Sequence, residues 1–81
     1  MVILDNLVKQ NNIVEYDYYG ANDSKHGHVS FDVEKMECVN VDYSGLDSES
    51  SLKRLYQKSL EGLNDMIKAN KYISRYEYVW Y

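Results

Sequence analysis

The sequence predicts an α+β fold of order β-β-β-α-β: a four-stranded, mostly antiparallel sheet with one amphipathic helix packed on one face. Two observations predict it. Apolar residues alternate through residues 12–43 and then recur at three- and four-residue steps through residues 52–70. Charge divides near the same boundary: residues 1–50 hold ten Asp and Glu against three Lys, whereas residues 51–81 hold six Lys and Arg against three acids. An acidic sheet and a basic helix follow.

Residues 1–11 fit two patterns. Leu4, Leu7 and Val8 have helical spacing, Val2-Ile3-Leu4 also suits a short strand, and Gln10-Asn11-Asn12 breaks either. From Asn12 to Tyr19, Val14, Tyr16 and Tyr18 alternate with Ile13, Glu15 and Asp17, the mark of a half-buried strand. Gly20 to Gly27 is a loop by composition. His28 to Val33 alternates again, with Val29, Phe31 and Val33 on one side. Glu34-Lys35 makes a tight connection to a third strand, Glu37 to Tyr43, with Val39, Val41 and Tyr43 inside and Cys38, Asn40 and Asp42 outside. Three consecutive strands with short links read as an antiparallel meander.

Ser44-Gly45 ends the sheet run, and Asp47 or Ser48 can cap a helix. Leu52, Leu55, Tyr56, Ser59, Leu63, Met66, Ile67 and Asn70 then form one apolar stripe. Asp47 and Glu49 at its start and Lys68 and Lys71 at its end suit the helix dipole. Gly62 costs about 1 kcal/mol relative to alanine and marks a place where helix and sheet can approach closely. Tyr72 to Tyr81 alternates, with Tyr72, Tyr76, Tyr78 and Trp80 on one face. A right-handed crossover through the helix would lay this last strand parallel to and beside the Asn12–Tyr19 strand, Tyr76 and Tyr78 against Tyr16 and Tyr18.

Size and composition bound the function. Eighty-one residues make a single domain over 1–81, with nine Tyr, Phe31 and Trp80 supplying much of the apolar mass. Cys38 is the only cysteine, so no internal disulfide forms, and the reading is a protein of a reducing, cytoplasmic setting. The opening run Met1-Val2-Ile3-Leu4 meets Asp5 at once, too short for a secretory leader. No stretch reaches the roughly 20 apolar residues of a membrane span.

One helix covers one sheet face, so the other meets water or a partner. Alternation places Glu15, Asp17, Asp32, Asp42 and Glu77 on that open face, with His28, Ser30, Asn40 and Cys38, and Arg75 as its base. A one-residue slip would bury these five carboxylates, which fixes the register. The five acids are the candidate interaction residues, and they also serve a plainer purpose in keeping a small sheet soluble.

Chemistry beyond binding finds little support. Asp23, His26 and His28 gather near one loop, yet zinc sites need three or four fixed ligands, and no further His or Cys pair supplies them. Cys38 has no base beside it in sequence, although His28 could lie one strand away. There is no glycine-rich phosphate loop and no Ser-His-Asp constellation. The expectation is therefore no catalytic residue, no metal site, no cofactor and no small-molecule substrate. Tyr-rich strands raise a base-stacking platform for single-stranded nucleic acid, with Lys53, Arg54 and Lys58 as a basic patch. Its aromatics share the face that the helix needs, and the sheet is acidic where a phosphate backbone would run. What remains is a non-enzymatic interaction module that binds a protein partner or a second copy through the open face or an edge. The alternative is an acidic mimic of nucleic acid that occupies a basic groove.

Ile13-Val14-Glu15-Tyr16-Asp17-Tyr18-Tyr19, followed by Gly27-His28-Val29-Ser30-Phe31-Asp32, resembles short proteins of Firmicutes and their mobile elements. Those proteins pair a Tyr-rich opening strand with a G-x-[VI]-S-F-D strand, an amphipathic helix and a Tyr-rich end. Gly20-Ala21 departs from the family's Pro-containing turn. The resemblance implies the fold over roughly residues 12–80 and carries no site residue.

Overall fold

Five strands form, one more than the alternation predicts. In the computed structural model, which describes residues 1–80, the elements are β1 (Val2–Gln10), β2 (Ile13–Tyr19), β3 (Gly27–Asp32), β4 (Glu37–Asp42), a single turn α1 (Gly45–Ser48), the main helix α2 (Arg54–Ala69) and β5 (Tyr76–Tyr78). They make one open sheet in the order β4-β3-β2-β1-β5 with every neighbouring pair antiparallel. The class is α+β, with α2 on one face. Tyr81, the end of the expected last strand, lies outside the described residues.

The extra strand is the ambiguous first segment. Val2 and Leu4 point into the core, the register then shifts between Asp5 and Val8, and Leu7 comes inward. Asn6 takes up the shift in a left-handed conformation, φ 52°, which asparagine tolerates better than most residues. The bulge is why Leu4, Leu7 and Val8 imitate helical spacing in an extended strand. Asn11, also left-handed at φ 56°, makes the tight turn into β2.

Insertion of β1 also corrects the sheet order. The last strand does run parallel to β2, since each is antiparallel to β1, but it pairs with β1 and not with β2. Tyr76 and Tyr78 therefore meet Leu4 and Val2, not Tyr16 and Tyr18. The strand is also shorter than the alternation from Tyr72 to Tyr81 implies.

The core comprises Val2, Leu4 and Leu7 of β1, Val14, Tyr16 and Tyr18 of β2, Val29 and Phe31 of β3, and Leu63 and Met66 of α2. Burial of the two tyrosine rings demands partners for their hydroxyls. Tyr16 donates to Ser59 Oγ at 3.0 Å, because the Ser59 hydroxyl hydrogen is committed to the Tyr56 carbonyl at 2.7 Å. Gly62 sets the approach of α2: a Cβ there would meet Tyr78 Cβ at 3.2 Å and Leu4 Cδ1 at 3.3 Å. Gly27 is tighter still, since a Cβ would fall 2.2 Å from the Tyr18 ring and 2.7 Å from the Ser44 amide nitrogen.

The long helix predicted from Asp47 onward is broken. α1 ends at Ser48, Lys53 is left-handed at φ 49°, and Leu52 is exposed instead of joining the stripe. Ser44 caps α1 through its hydroxyl, and Asp47 then turns its carboxylate to the next helix. Its Oδ1 accepts from the Leu55 amide at 3.1 Å, and Oδ2 accepts from the Tyr56 amide at 2.7 Å and the Tyr18 hydroxyl at 2.8 Å. Asp47 is thus an N-cap supplied from outside the helix, doing for α2 what Lys53 at the N-cap position does not.

Two outcomes follow. Asp47→Ala should lower stability by about 2–3 kcal/mol in urea denaturation, since it strands a buried hydroxyl and two helix amides; a loss within about 0.5 kcal/mol would contradict this account. Gly27→Ala should cost about 1–3 kcal/mol by overpacking, more than Gly62→Ala, whose nearest contacts stand at 3.2–3.4 Å.

Candidate interaction face

Strand register assembles the open face in rows. Asp5 lies opposite Asp17, Asp17 opposite His28, and His28 opposite Asp42, so four strands contribute to one line. The next row holds Val8, Glu15, Ser30 and Asn40, and on the other side Ile3 is flanked by Tyr19 and Glu77. Like charges placed directly opposite destabilise a sheet, so the Asp5–Asp17 pair needs relief.

Hydrogen bonds from neighbouring side chains provide it. Tyr19 donates to Asp5 Oδ2 at 2.9 Å, and Arg75 Nη1 donates to the same oxygen at 3.4 Å and to the Tyr19 hydroxyl at 3.2 Å. Asn6, freed by the bulge, donates to Asp17 Oδ2 at 3.0 Å. His28 bridges two acids of β2: Nδ1 lies 2.8 Å from Asp17 Oδ1 and Nε2 lies 3.2 Å from Glu15 Oε1. A carboxylate only accepts, so His28 donates to both acids at once only when its ring is doubly protonated. Ser30 donates to Glu15 at 3.2 Å, and Lys25 pairs with Asp42 at 3.3 Å.

These contacts move the titrations in opposite directions. Hydrogen bonds to Asp17 and then to Glu15 raise the His28 pKa above its ordinary value. Hydrogen bonds from His28 and Ser30 hold Glu15 below the usual carboxylate range. Burial pushes Asp17 up, but its bonds to His28 and Asn6 outweigh that and hold it low.

Three of the five sequence-derived acids, Glu15, Asp17 and Asp42, come together around His28. Glu77 is exposed on β5, beyond Ile3 and away from that cluster. Asp32 does not join them. It is 7% exposed and turned back into the β3–β4 hairpin, accepting from the Glu34 and Lys35 amides at 2.9 Å each and from Asn12 Nδ2 at 3.0 Å. The Lys35 amide foremost holds its carboxyl below the usual range.

Cys38 is also displaced from the predicted face. A bulge in β4 shifts the register between Ser30 and Phe31, so Cys38 pairs with Phe31 and takes the helix side, while Val39 becomes the extra, exposed residue. Cys38 and His28 therefore lie on opposite faces. Asp23, His26 and His28 do not converge either. The Asp23 carboxylate accepts from the Gly20 and Leu46 amides, and His26 stacks on Tyr19 with centroids 3.7 Å apart. The helix lysines are engaged at home: Lys53 Nζ donates to the Asp47 carbonyl, and Lys58 pairs with Glu61 and lies 5.5 Å over the Trp80 ring.

The sequence reading missed Asp5, Asn6, Tyr19 and Lys25 as parts of this face. Asp5 and Asn6 were hidden by the ambiguity of β1, whereas the Tyr19 alternation with Tyr18 was available as a signal. Among the described residues no helix is long and apolar enough to cross a membrane. No protein-family model, curated protein or solved structure matches the chain.

The sign of the pH dependence follows from the shifts. His28 stabilises the fold fully below its unfolded pKa of about 6.5, and the contribution disappears as pH rises through its raised folded value. Glu15 and Asp17 contribute above about pH 4, and this is lost as pH falls through their lowered values. The stability difference between wild type and His28→Gln should therefore shrink from pH 6 to pH 9. The His28 ring-proton shift should titrate with a midpoint above about 6.5. A midpoint at or below that value would refute the bridge.

Proposed function

We propose that this chain is a non-enzymatic interaction module of a reducing, cytoplasmic setting that engages a protein partner through its sheet. One observation carries the reading: α2 covers a single face, and the opposite face presents Asp5, Glu15, Asp17, Tyr19, His28 and Arg75 already held in place by mutual hydrogen bonds. Ordered side chains lose less conformational entropy on docking, and Tyr and Arg are residues on which binding energy concentrates. Ile3, half-buried, and the exposed Val8 add apolar surface between the charges.

The alternative, an acidic nucleic-acid mimic of phage or mobile-element type, draws on the same acids. Its support is weaker because His28, Arg75 and Lys25 lie among them, each within 3.4 Å of a carboxylate oxygen. Mixed charge favours a partner that is itself mixed over a uniformly basic groove.

Capture from native lysate at low and at several hundred millimolar salt separates the two. The mixed-surface reading expects a partner that survives high salt and is lost on Tyr19→Ala. Mimicry expects binding abolished by salt and by changing Glu15, Asp17, Asp42 and Glu77 together to their amides. Capture unchanged by either set of substitutions, on folded protein, would reject the open face as the site.

A further inference from the structure

A histidine ring carries two N–H protons when charged and one when neutral, and on the open face it has two carboxylates to serve. Strand register brings them together: His28 of β3 lies opposite Asp17 of β2 and diagonal to Glu15. Nδ1 stands 2.8 Å from Asp17 Oδ1, and Nε2 stands 3.2 Å from Glu15 Oε1. We propose that His28 is a proton-operated latch: charged, it fastens Glu15 to the sheet, and neutral, it releases Glu15 to a cationic partner. The inference rests on the interaction reading above and assigns that face its regulation.

The two contacts are unequal, which decides what the neutral ring keeps. Asp17 is the less exposed acid, 32% against 50%. Both of its oxygens are taken, Oδ1 by His28 and Oδ2 by Asn6. The contacts of Glu15 with His28 and Ser30 instead meet at one oxygen, Oε1. A ring that loses one proton therefore keeps Nδ1–H on Asp17. Its Nε2 then turns a lone pair toward Glu15 Oε1, acceptor against acceptor. The Ser30 hydroxyl alone is left to hold a longer, more solvated side chain, and Glu15 swings free.

The surrounding charges are committed elsewhere. Asp42 of β4 lies opposite His28 and pairs with Lys25 at 3.3 Å. Asp5 of β1 lies opposite Asp17 and is held by Tyr19 and Arg75. His26, stacked on Tyr19, is a second titratable ring in the neighbourhood, and its charge acts on Asp17. The helix packs on the other face. Asp5, Glu15, Asp17 and Asp42 thus stand among three cations while His28 is charged, and among two, Lys25 and Arg75, once it is neutral. The two flanking acids keep the proton on the ring above the ordinary histidine value of about 6.5.

NMR of the free protein tests the latch, following carboxyl carbons and imidazole nitrogens from about pH 5.5 to about pH 9. Through the His28 midpoint the Glu15 carboxyl carbon should move further than that of Asp17, and the neutral ring should carry its proton on Nδ1. A neutral ring protonated on Nε2, or a Glu15 signal that stays still, overturns the proposal. A tetralysine peptide blocked at both termini reads the consequence. Its affinity for the open face should rise about threefold from pH 6 to pH 8.5, the scale of one exposed ion pair, and stay flat in His28→Gln. A rise that survives in folded His28→Gln places the control at His26 and also overturns the latch. The wild-type signals decide the matter if that variant does not fold. They are read without a partner, so their failure removes the latch and leaves the open-face reading to the Tyr19→Ala capture.

Discussion

A buried carboxylate without a cation at its oxygens holds the molecule together. Asp47 is 2% exposed, and removing a charge from water is costly unless hydrogen bonds replace its hydration. The Tyr18 hydroxyl and two first-turn amides of α2 do so, with the positive end of the helix dipole behind them. Tyr18 in turn accepts from the Ser44 amide at 3.0 Å. One acid and one phenol thereby join the middle of the sheet, the turn after β4 and the start of the helix. That anchor lays α2 along β2, β1 and β5, where Gly62 admits it closely. It therefore also determines which face of the sheet stays open and which edge stays bare.

The acidic character of the first half looks different once each acid is placed. Asp23, Asp32 and Asp47 spend their oxygens on backbone amides and shape turns and a helix end. Asp5, Glu15, Asp17 and Asp42 each have a cationic neighbour on the open face. The charge split that marks the sequence is therefore in good part an internal accounting of donors and acceptors, with a smaller residue of acid offered to solvent.

How much of this could be read from the chain depended on whether a regular period survived. β2, β3 and the second half of β4 keep the period of two, and the meander and its buried residues were legible from Val14, Tyr16, Tyr18, Val29 and Phe31. β1 was obscured because one extra residue at Asn6 shifts its phase, turning a strand into something with helical spacing. The β4 bulge likewise moved Cys38 and Val39 off their expected sides. Asp32 failed for a different reason: alternation assigns a side chain to a face but says nothing of whether its carboxylate turns back to bind the next two amides. The His28 bridge needed the cross-strand register, which places residue 28 beside residues 15 and 17, and no local pattern contains that.

The position of β1 has a kinetic consequence. It is the first strand in sequence, yet it sits between β2 and β5, so one of its edges closes at once through the Asn11 turn and the other waits for Val2 to meet Tyr78. Local hairpins form quickly, whereas pairing across almost the whole chain carries a large loop-closure entropy and arrives late. The three-residue β5 should thus be the final rung of the sheet in assembly and among the first to open in native-state hydrogen exchange. Until it docks, Val2 and Leu4 stand at an unprotected edge.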